Sequence, residues 1–358
     1  MKTKVLVLGA GFGGLELTTL LSEACSDSVE VTLVDHREGF VFGFSKLDVM
    51  FGRLTADQVT HRYGNLVKPG VRFIAGAVRS IDAANKRVET SAGTFEADIL
   101  VVALGADLHP ELTPGLVEDG HEFYTSDGAF ELRDILANFD GGNVVVGVTA
   151  LPFKCPPAPS ETALLMHDLL VDRGLRDSST VSLVMPFGVP IPPSPAASKE
   201  LLATFVERDI RWVPEQRVTG LDPQRHMALL SGDDELPYDL FLGVPVHQAP
   251  KVVQESGMTV DGWIPVDPYT LETSFPDVYA VGDVASVGTP KAGVFAEGQA
   301  AVVAARIIAE QTDAQATASY DGRGMCYLEF GHDLVATVDV TFEPGQRPTG
   351  AMQGPSAA

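Results

Sequence analysis

Two cysteines and two acids stand in settings suited to chemistry. Cys155 lies in the loop Thr149–Pro159 (TALPFKCPPAP), just ahead of a helix expected from about Ser160 to Leu170. A helix N-terminus and the adjacent charge of Lys154 each lower a thiol pKa, so this loop is expected to present a reactive sulfur. Cys326 sits in Gly322–Tyr327 (GRGMCY), a glycine-flanked entry to a strand. The third cysteine, Cys25, closes the first expected helix and reads as a small buried hydrophobe. Three cysteines are too few for a disulfide scaffold and lack any zinc spacing, so no metal is expected. In a reducing compartment a cysteine pair is more often catalytic than structural.

The acids frame a nucleotide. Gly9-Ala10-Gly11-Phe12-Gly13-Gly14 fits G-x-G-x-x-G, follows a strand and opens a helix. Gly9 permits the tight turn, Gly11 lets the backbone approach a pyrophosphate, and Gly14 allows close helix–strand packing; the helix N-terminus attracts the phosphate charge. Asp35, with His36 beside it, ends the next strand, where a carboxylate suits a ribose hydroxyl. The second acid, Asp283, closes Phe275–Asp283 (FPDVYAVGD), which resembles the second FAD fingerprint of the flavoproteins with two dinucleotide-binding domains. There the Gly-Asp pair, here Gly282-Asp283, meets a ribityl hydroxyl. Ile99–Ala106 (ILVVALGA), with Gly105 in its turn, resembles that family's middle motif. The order and spacing of the three decide for FAD over NAD in the first domain.

The elements that carry these residues alternate. Val5–Leu8 is a buried strand, Leu15 to about Ala24 a helix and Val29–Val34 the next strand. Strand-like segments at Arg72–Ile74 and Val88–Thr90 flank a turn at Asn85-Lys86, and Ile99–Leu104 reads as a central parallel strand. A second unit starts near Asn143 with the strand Val144–Val148, continues through Val181–Met185 and includes a helix over Lys199–Arg208. In place of a second glycine-rich turn, Val144–Val148 runs into the proline loop of Cys155. Prolines remove the N–H donors that a pyrophosphate cradle needs, so a nicotinamide nucleotide is not expected there.

The expected fold class is α/β: two Rossmann-like domains, a glutathione-reductase-like FAD domain with an inserted second domain, plus a short C-terminal β-rich segment. The FAD domain is assigned residues 1–107 and 241–310, the inserted domain 108–240 and the C-terminal segment 311–358. Gly345–Ala358 reads as disordered from its Gly/Pro/Ala composition.

The 358 residues suffice for two or three domains with real cores. Against 25 basic residues stand 48 acidic ones, a net charge of −23. Such a surface repels nucleic acid and anionic lipid, and it fits both ordinary solubility and adaptation to high salt. No apolar run approaches a spanning helix. The opening MKTKVLVL ends at once in glycines and reads as a strand, not an export signal. These features point to a cytoplasmic protein, or one peripheral at the cytoplasmic membrane.

Taken together, Phe153–Glu161 (FKCPPAPSE), Gly282–Ala300 (GDVASVGTPKAGVFAEGQA) and the late Cys326 resemble the sulfide:quinone oxidoreductases and the flavoprotein subunit of flavocytochrome c sulfide dehydrogenases. The resemblance implies that Cys155 and Cys326 form a redox disulfide beside the flavin. Hydrosulfide would open it, leaving a persulfide on one cysteine; the other would reduce FAD, and a quinone or another acceptor would reoxidise it. Within that frame Lys291, followed by Ala292 at the start of a helix, could stabilise charge on the reduced flavin, or be a surface lysine. Glu161 could accept a proton beside the cysteine loop, or be a first-turn helix carboxylate. His247 could serve the acceptor side, or be a plain loop histidine.

The departures are informative. Residues 108–140 hold no further cysteine, and none lies near Phe42, so FAD is expected to be non-covalent. Quinone-linked members extend into amphipathic C-terminal helices, whereas this chain runs soon after Phe342 into a polar tail, so weak or no membrane association is expected. The oligomeric state stays open, a homodimer being one option. The competing readings are a type II NADH dehydrogenase, against which the proline loop speaks; a disulfide reductase, whose usual cysteine pair is missing from Val41–Met50; and a flavin-bound thiol sensor without turnover.

Overall fold

The computed structural model describes residues 2–312 and 314–357. The first unit begins with β1 (Thr3–Leu8), α1 (Phe12–Cys25), β2 (Val29–Asp35) and α2 (Gly43–Met50), followed by β3 (Val71–Ala75) and β4 (Ile99–Val102). The second contains β5 (His121–Glu122), β6 (Asn143–Val148), α3 (Ala158–Asp172), β7 (Thr180–Val184), α4 (Pro195–Glu207), β8 (Ile210–Val213) and β9 (Leu240–Val244). The chain then supplies β10 (Val278–Ala280), α5 (Gly293–Gln311) and a C-terminal group, β11 (Arg323–Gly331), β12 (Leu334–Thr341) and β13 (Thr349–Ala357).

Two parallel five-stranded sheets result, in the orders β10-β4-β1-β2-β3 and β5-β9-β6-β7-β8. β1, β4, β6 and β9 are apolar runs because both faces of their sheets are covered, as a parallel sheet demands. α1 packs against α5 over the first sheet. The same pattern recurs in each half: an antiparallel three-stranded meander (Val78–Asp82, Arg87–Thr90 and Gly93–Glu96; Val218–Asp222, Met227–Leu230 and Glu235–Pro237) feeds β4 in one and β9 in the other.

The sequence pattern returns the chain to the first domain at 241, but β9 pairs in parallel with β6 from Val144↔Leu240 to Val148↔Val244, so the second sheet keeps the chain through Val244. Its unbroken apolar run looks the same whichever parallel sheet it joins. The composition of Gly345–Ala358 predicts disorder, yet β13 pairs antiparallel with β12 from Thr341↔Thr349 to Leu334↔Ala357; Ala358 lies outside the described residues. A ladder with β12 supplies the order that local composition lacks. Among the described residues no helix is long and apolar enough to cross a membrane.

Candidate active site

The glycine turn is built as a cradle. Gly9 adopts φ +98°, and its N–H donates to Val34 O at 2.8 Å. A Cβ on Gly14 would lie 1.9 Å from Gly9 O, so α1 starts against the turn itself; a Cβ on Gly11 would meet no protein atom within 4 Å. That open face, at a helix N-terminus, is where a pyrophosphate fits. Asp35 does more than face a ribose. Its Oδ2 accepts Ala10 N–H at 2.7 Å and its Oδ1 accepts Arg37 N–H at 2.8 Å, which clamps the turn to β2 and leaves each oxygen a second lone pair. His36 beside it is exposed. Across the sheet, Gly105 and Gly282 take φ of +70° and +77°. Gly282 N–H donates to Gln299 Oε1 at 2.7 Å, a buried partner on α5 that the motif did not reveal.

The Cys155 loop is stapled to the segment before α5. Cys155 N–H donates to Lys291 O at 2.8 Å, and Lys154 and Lys291 form a parallel bridge. Cys155 takes φ +49°, a left-handed conformation that costs a β-carbon residue energy and persists because its surroundings fix it. Its own carbonyl accepts Ala158 N–H at 2.9 Å and Tyr124 Oη–H at 3.4 Å. Lys291 Nζ donates to the carbonyl of Asp283 and lies 3.5 Å from the centre of the Trp263 ring. The ammonium is therefore tethered among the flavin-motif residues rather than free at the surface. Burial lowers its pKa to about 8, against the opposing pull of Asp283. Ala292 caps α5.

A cavity of about 230 Å³ brings Cys155, Cys326 and Glu161 together with Phe12, Ala292, Lys46 and Tyr124. The two cysteines, far apart in sequence, are thus neighbours, and both are free thiols. Cys25 is buried at the end of α1, as expected, with Sγ 3.4 Å from Leu21 O. The expected depressed thiol pKa at Cys155 is not what the site produces. Burial, reinforced by the charge of Asp283, pushes it up to about 11, with Lys46 and Lys154 only partly offsetting this. The loop places the sulfur inside a cavity where desolvation outweighs the helix terminus and one lysine. Cys326, half-buried on β11, is pushed to about 12 by burial and by the Cys155 charge.

Glu161 is a buried carboxyl on α3 whose Oε1 accepts the Glu329 N–H of β11 at 2.9 Å. Burial raises its pKa to about 8, so it carries a proton at neutrality. It ties the helix that follows Cys155 to the strand that carries Cys326. Arg53 braces the same strand through a paired contact with Glu329, while Asp168 on α3 accepts His332 N–H at 2.6 Å and binds Arg208 at 3.2 Å. His247 is buried with Nδ1 donating to Pro245 O at 2.8 Å, its ring edge-on to Tyr124 at 5.4 Å between centroids. Burial and the nearby lysines lower its pKa to about 3, so Nε2 is a bare lone pair without a protein partner.

Lys46 and Tyr124 were not singled out by the sequence. Lys46 rides on α2 beside Leu47 in an otherwise unremarkable segment, and Tyr124 follows a two-residue strand. Packing of α2 against the helix Ser126–Ala137 brings them to the cavity, and no local pattern encodes that contact.

The profile of the family described as "Pyridine nucleotide-disulphide oxidoreductase" matches residues 3–306. A sulfide-quinone reductase of Aquifex aeolicus is 26% identical over 366 residues, spanning 93% of this chain and 82% of that protein. A mitochondrial sulfide:quinone oxidoreductase of Dictyostelium discoideum is 22% identical over 95% of this chain and 78% of its own length. A type II NADH:quinone oxidoreductase of Staphylococcus aureus is 38% identical, but over 29% of this chain and 26% of its own. Among solved structures, the sulfide:quinone oxidoreductase of Aquifex aeolicus superposes with a TM-score of 0.84 at 21% identity, covering 98% of this chain and 87% of that one. The fold reading and the resemblance drawn from the motifs are both borne out. The open cradle at Gly11 and the Asp35, Gly105 and Gly282-Asp283 positions fit FAD, the cofactor of this flavoprotein family. The chain therefore belongs to the pyridine nucleotide-disulphide oxidoreductase family, as an FAD-binding oxidoreductase.

Proposed function

We propose that the protein oxidises a small sulfur nucleophile, hydrosulfide, at the Cys155–Cys326 pair and delivers the electrons through FAD to a quinone. The observation that carries this reading is the shared cavity: two cysteines from distant parts of the chain meet beside Ala292, at the helix terminus that follows the second flavin motif. The similarity to sulfide:quinone oxidoreductases over 93% and 95% of this chain supports the same reading.

With the pair oxidised, hydrosulfide attacks one sulfur. A new S–S bond forms there, the old one breaks, and the second cysteine leaves as a thiolate, so one negative charge enters and one remains. Held by the Gly9–Gly14 turn and Gly282-Asp283, FAD would supply the two-electron acceptor: joining the thiolate to the persulfide as a trisulfide releases two electrons and one proton, and the quinone would take the electrons on. The residues supply position: Glu161 and the Cys155–Lys291 staple fix the two sulfurs, and Lys291 holds a positive charge beside Asp283. An apolar quinone enters at the cavity mouth, where Phe42, Phe44, Met325 and Tyr327 are exposed.

Anaerobic titration of the yellow protein with sulfide tests this. The expected result is bleaching in the wild type, its reversal by a short-chain quinone, and no bleaching in Cys155→Ser or Cys326→Ser. A wild type that keeps its colour, or two variants that bleach normally, would sink the proposal. NADH in place of sulfide is expected to leave the colour unchanged, because prolines occupy the loop after β6.

A further inference from the structure

Lys46 is a cation with no carboxylate in contact with it. It lines the cavity with both cysteines, yet its Nζ bonds only the carbonyl of Tyr124, and among the described residues it forms no ion pair. Tyr124 in turn donates its hydroxyl to Cys155 O, so the lysine and the sulfur share one support. The acid whose charge acts on it, Glu122, is already engaged: it accepts Tyr124 N–H at 2.7 Å and Thr125 N–H at 2.9 Å, together with the Thr125 hydroxyl. An ammonium drawn this far from water without a carboxylate partner is costly unless an anion joins it.

We infer that Lys46 is the anion-holding residue of the cavity, receiving the incoming sulfur anion and then the cysteine thiolate left when the disulfide opens. This deepens the sulfur-oxidising reading and rests on it. In the exchange HS⁻ + Cys–S–S–Cys → Cys–S–SH + ⁻S–Cys, electrons are redistributed within the sulfurs and the single negative charge moves from solute to protein. One fixed cation can face that charge throughout. The charged groups around it explain why a lysine is needed. The protein carries a net charge of −23, and Asp283 acts on Cys155 to disfavour its anion, while Lys154 and Arg37 add positive charge and Glu122 negative charge around Lys46. Burial, the first cause, and Lys154 lower the Lys46 pKa to about 8, so the ammonium persists at neutral pH and fades as pH rises beyond it.

The test compares Lys46→Met and Lys46→Arg with the wild type by two readouts. The first is the second-order rate of flavin bleaching by sulfide. The second, independent of sulfide, is the pH profile of iodoacetamide alkylation at Cys155 in the reduced holoprotein, read by peptide mass spectrometry. Lys46→Met is expected to slow bleaching about 10-fold and to lower the Cys155 alkylation rate about 10-fold between pH 6 and 8, where the ammonium is charged, the difference closing at higher pH as the lysine loses its proton. Lys46→Arg is expected to keep most of both. Unchanged rate and profile in Lys46→Met overturn the inference, and so does a variant that loses its FAD while the Cys155 profile stays in place. If the wild type is not bleached by sulfide but the profile still shifts in Lys46→Met, the sulfide reading fails and the anion-holding role of Lys46 stands.

Discussion

The protonation of single residues in this site is decided by burial more than by sequence neighbours. Lys154 and the start of α3 were legible at Cys155; the desolvation that pushes its pKa to about 11 was not, because the cavity walls arrive from α2, Tyr124 and β11. Glu161 gives the clearest consequence. Its pKa rises from 4.5 in water to about 8 in the fold. Below pH 4.5 both folded and unfolded chains hold its proton. Between 4.5 and 8 the unfolded chain releases the proton and the folded one keeps it, so stability falls as pH rises, by up to about 1.4 kcal/mol per pH unit. Glu161→Gln keeps an oxygen for the Glu329 N–H and removes the titration. The melting temperature of the variant relative to wild type should climb from pH 5 to pH 8 and then level off; a constant offset across that range would contradict the assignment.

At the scale of elements, the β1–turn–α1 unit was readable because its glycines act within a few residues of one another. The same unit separates two roles for glycine. Gly14 faces Gly9 O at a distance no Cβ tolerates, whereas Gly11 faces open space. Gly14→Ala should force α1 off the turn, lose FAD and lower stability by about 2 kcal/mol. Gly11→Ala should lose FAD as well while the melting curve of the apoprotein stays put. Flavin-to-protein ratios and apoprotein melts check both, and a Gly11→Ala protein with full flavin content would refute the placement of the pyrophosphate. What stayed hidden at this scale was β13, whose strand exists through its ladder with β12, and the true owner of β9, whose apolar run suits either parallel sheet.

For the molecule as a whole, alternation of strands and helices was enough to read two Rossmann-like units, and the charge was legible as a sum. A chain carrying −23 repels itself when compact, and salt screens that repulsion over about 10 Å at 0.1 M. Raising sodium chloride from low to moderate concentration should therefore raise the melting temperature. A fall would mean that ion pairs such as Arg225–Glu235 outweigh the net repulsion. The hydrogen bond between Cys155 and Lys291 has a mechanical meaning at this scale. It rivets a loop of one Rossmann unit to the entry of a helix that packs on the other, close to the reacting atoms. A hinge between the two units would have to break that hydrogen bond, so the loop that carries the sulfur is tied to the start of the helix beside the second flavin motif.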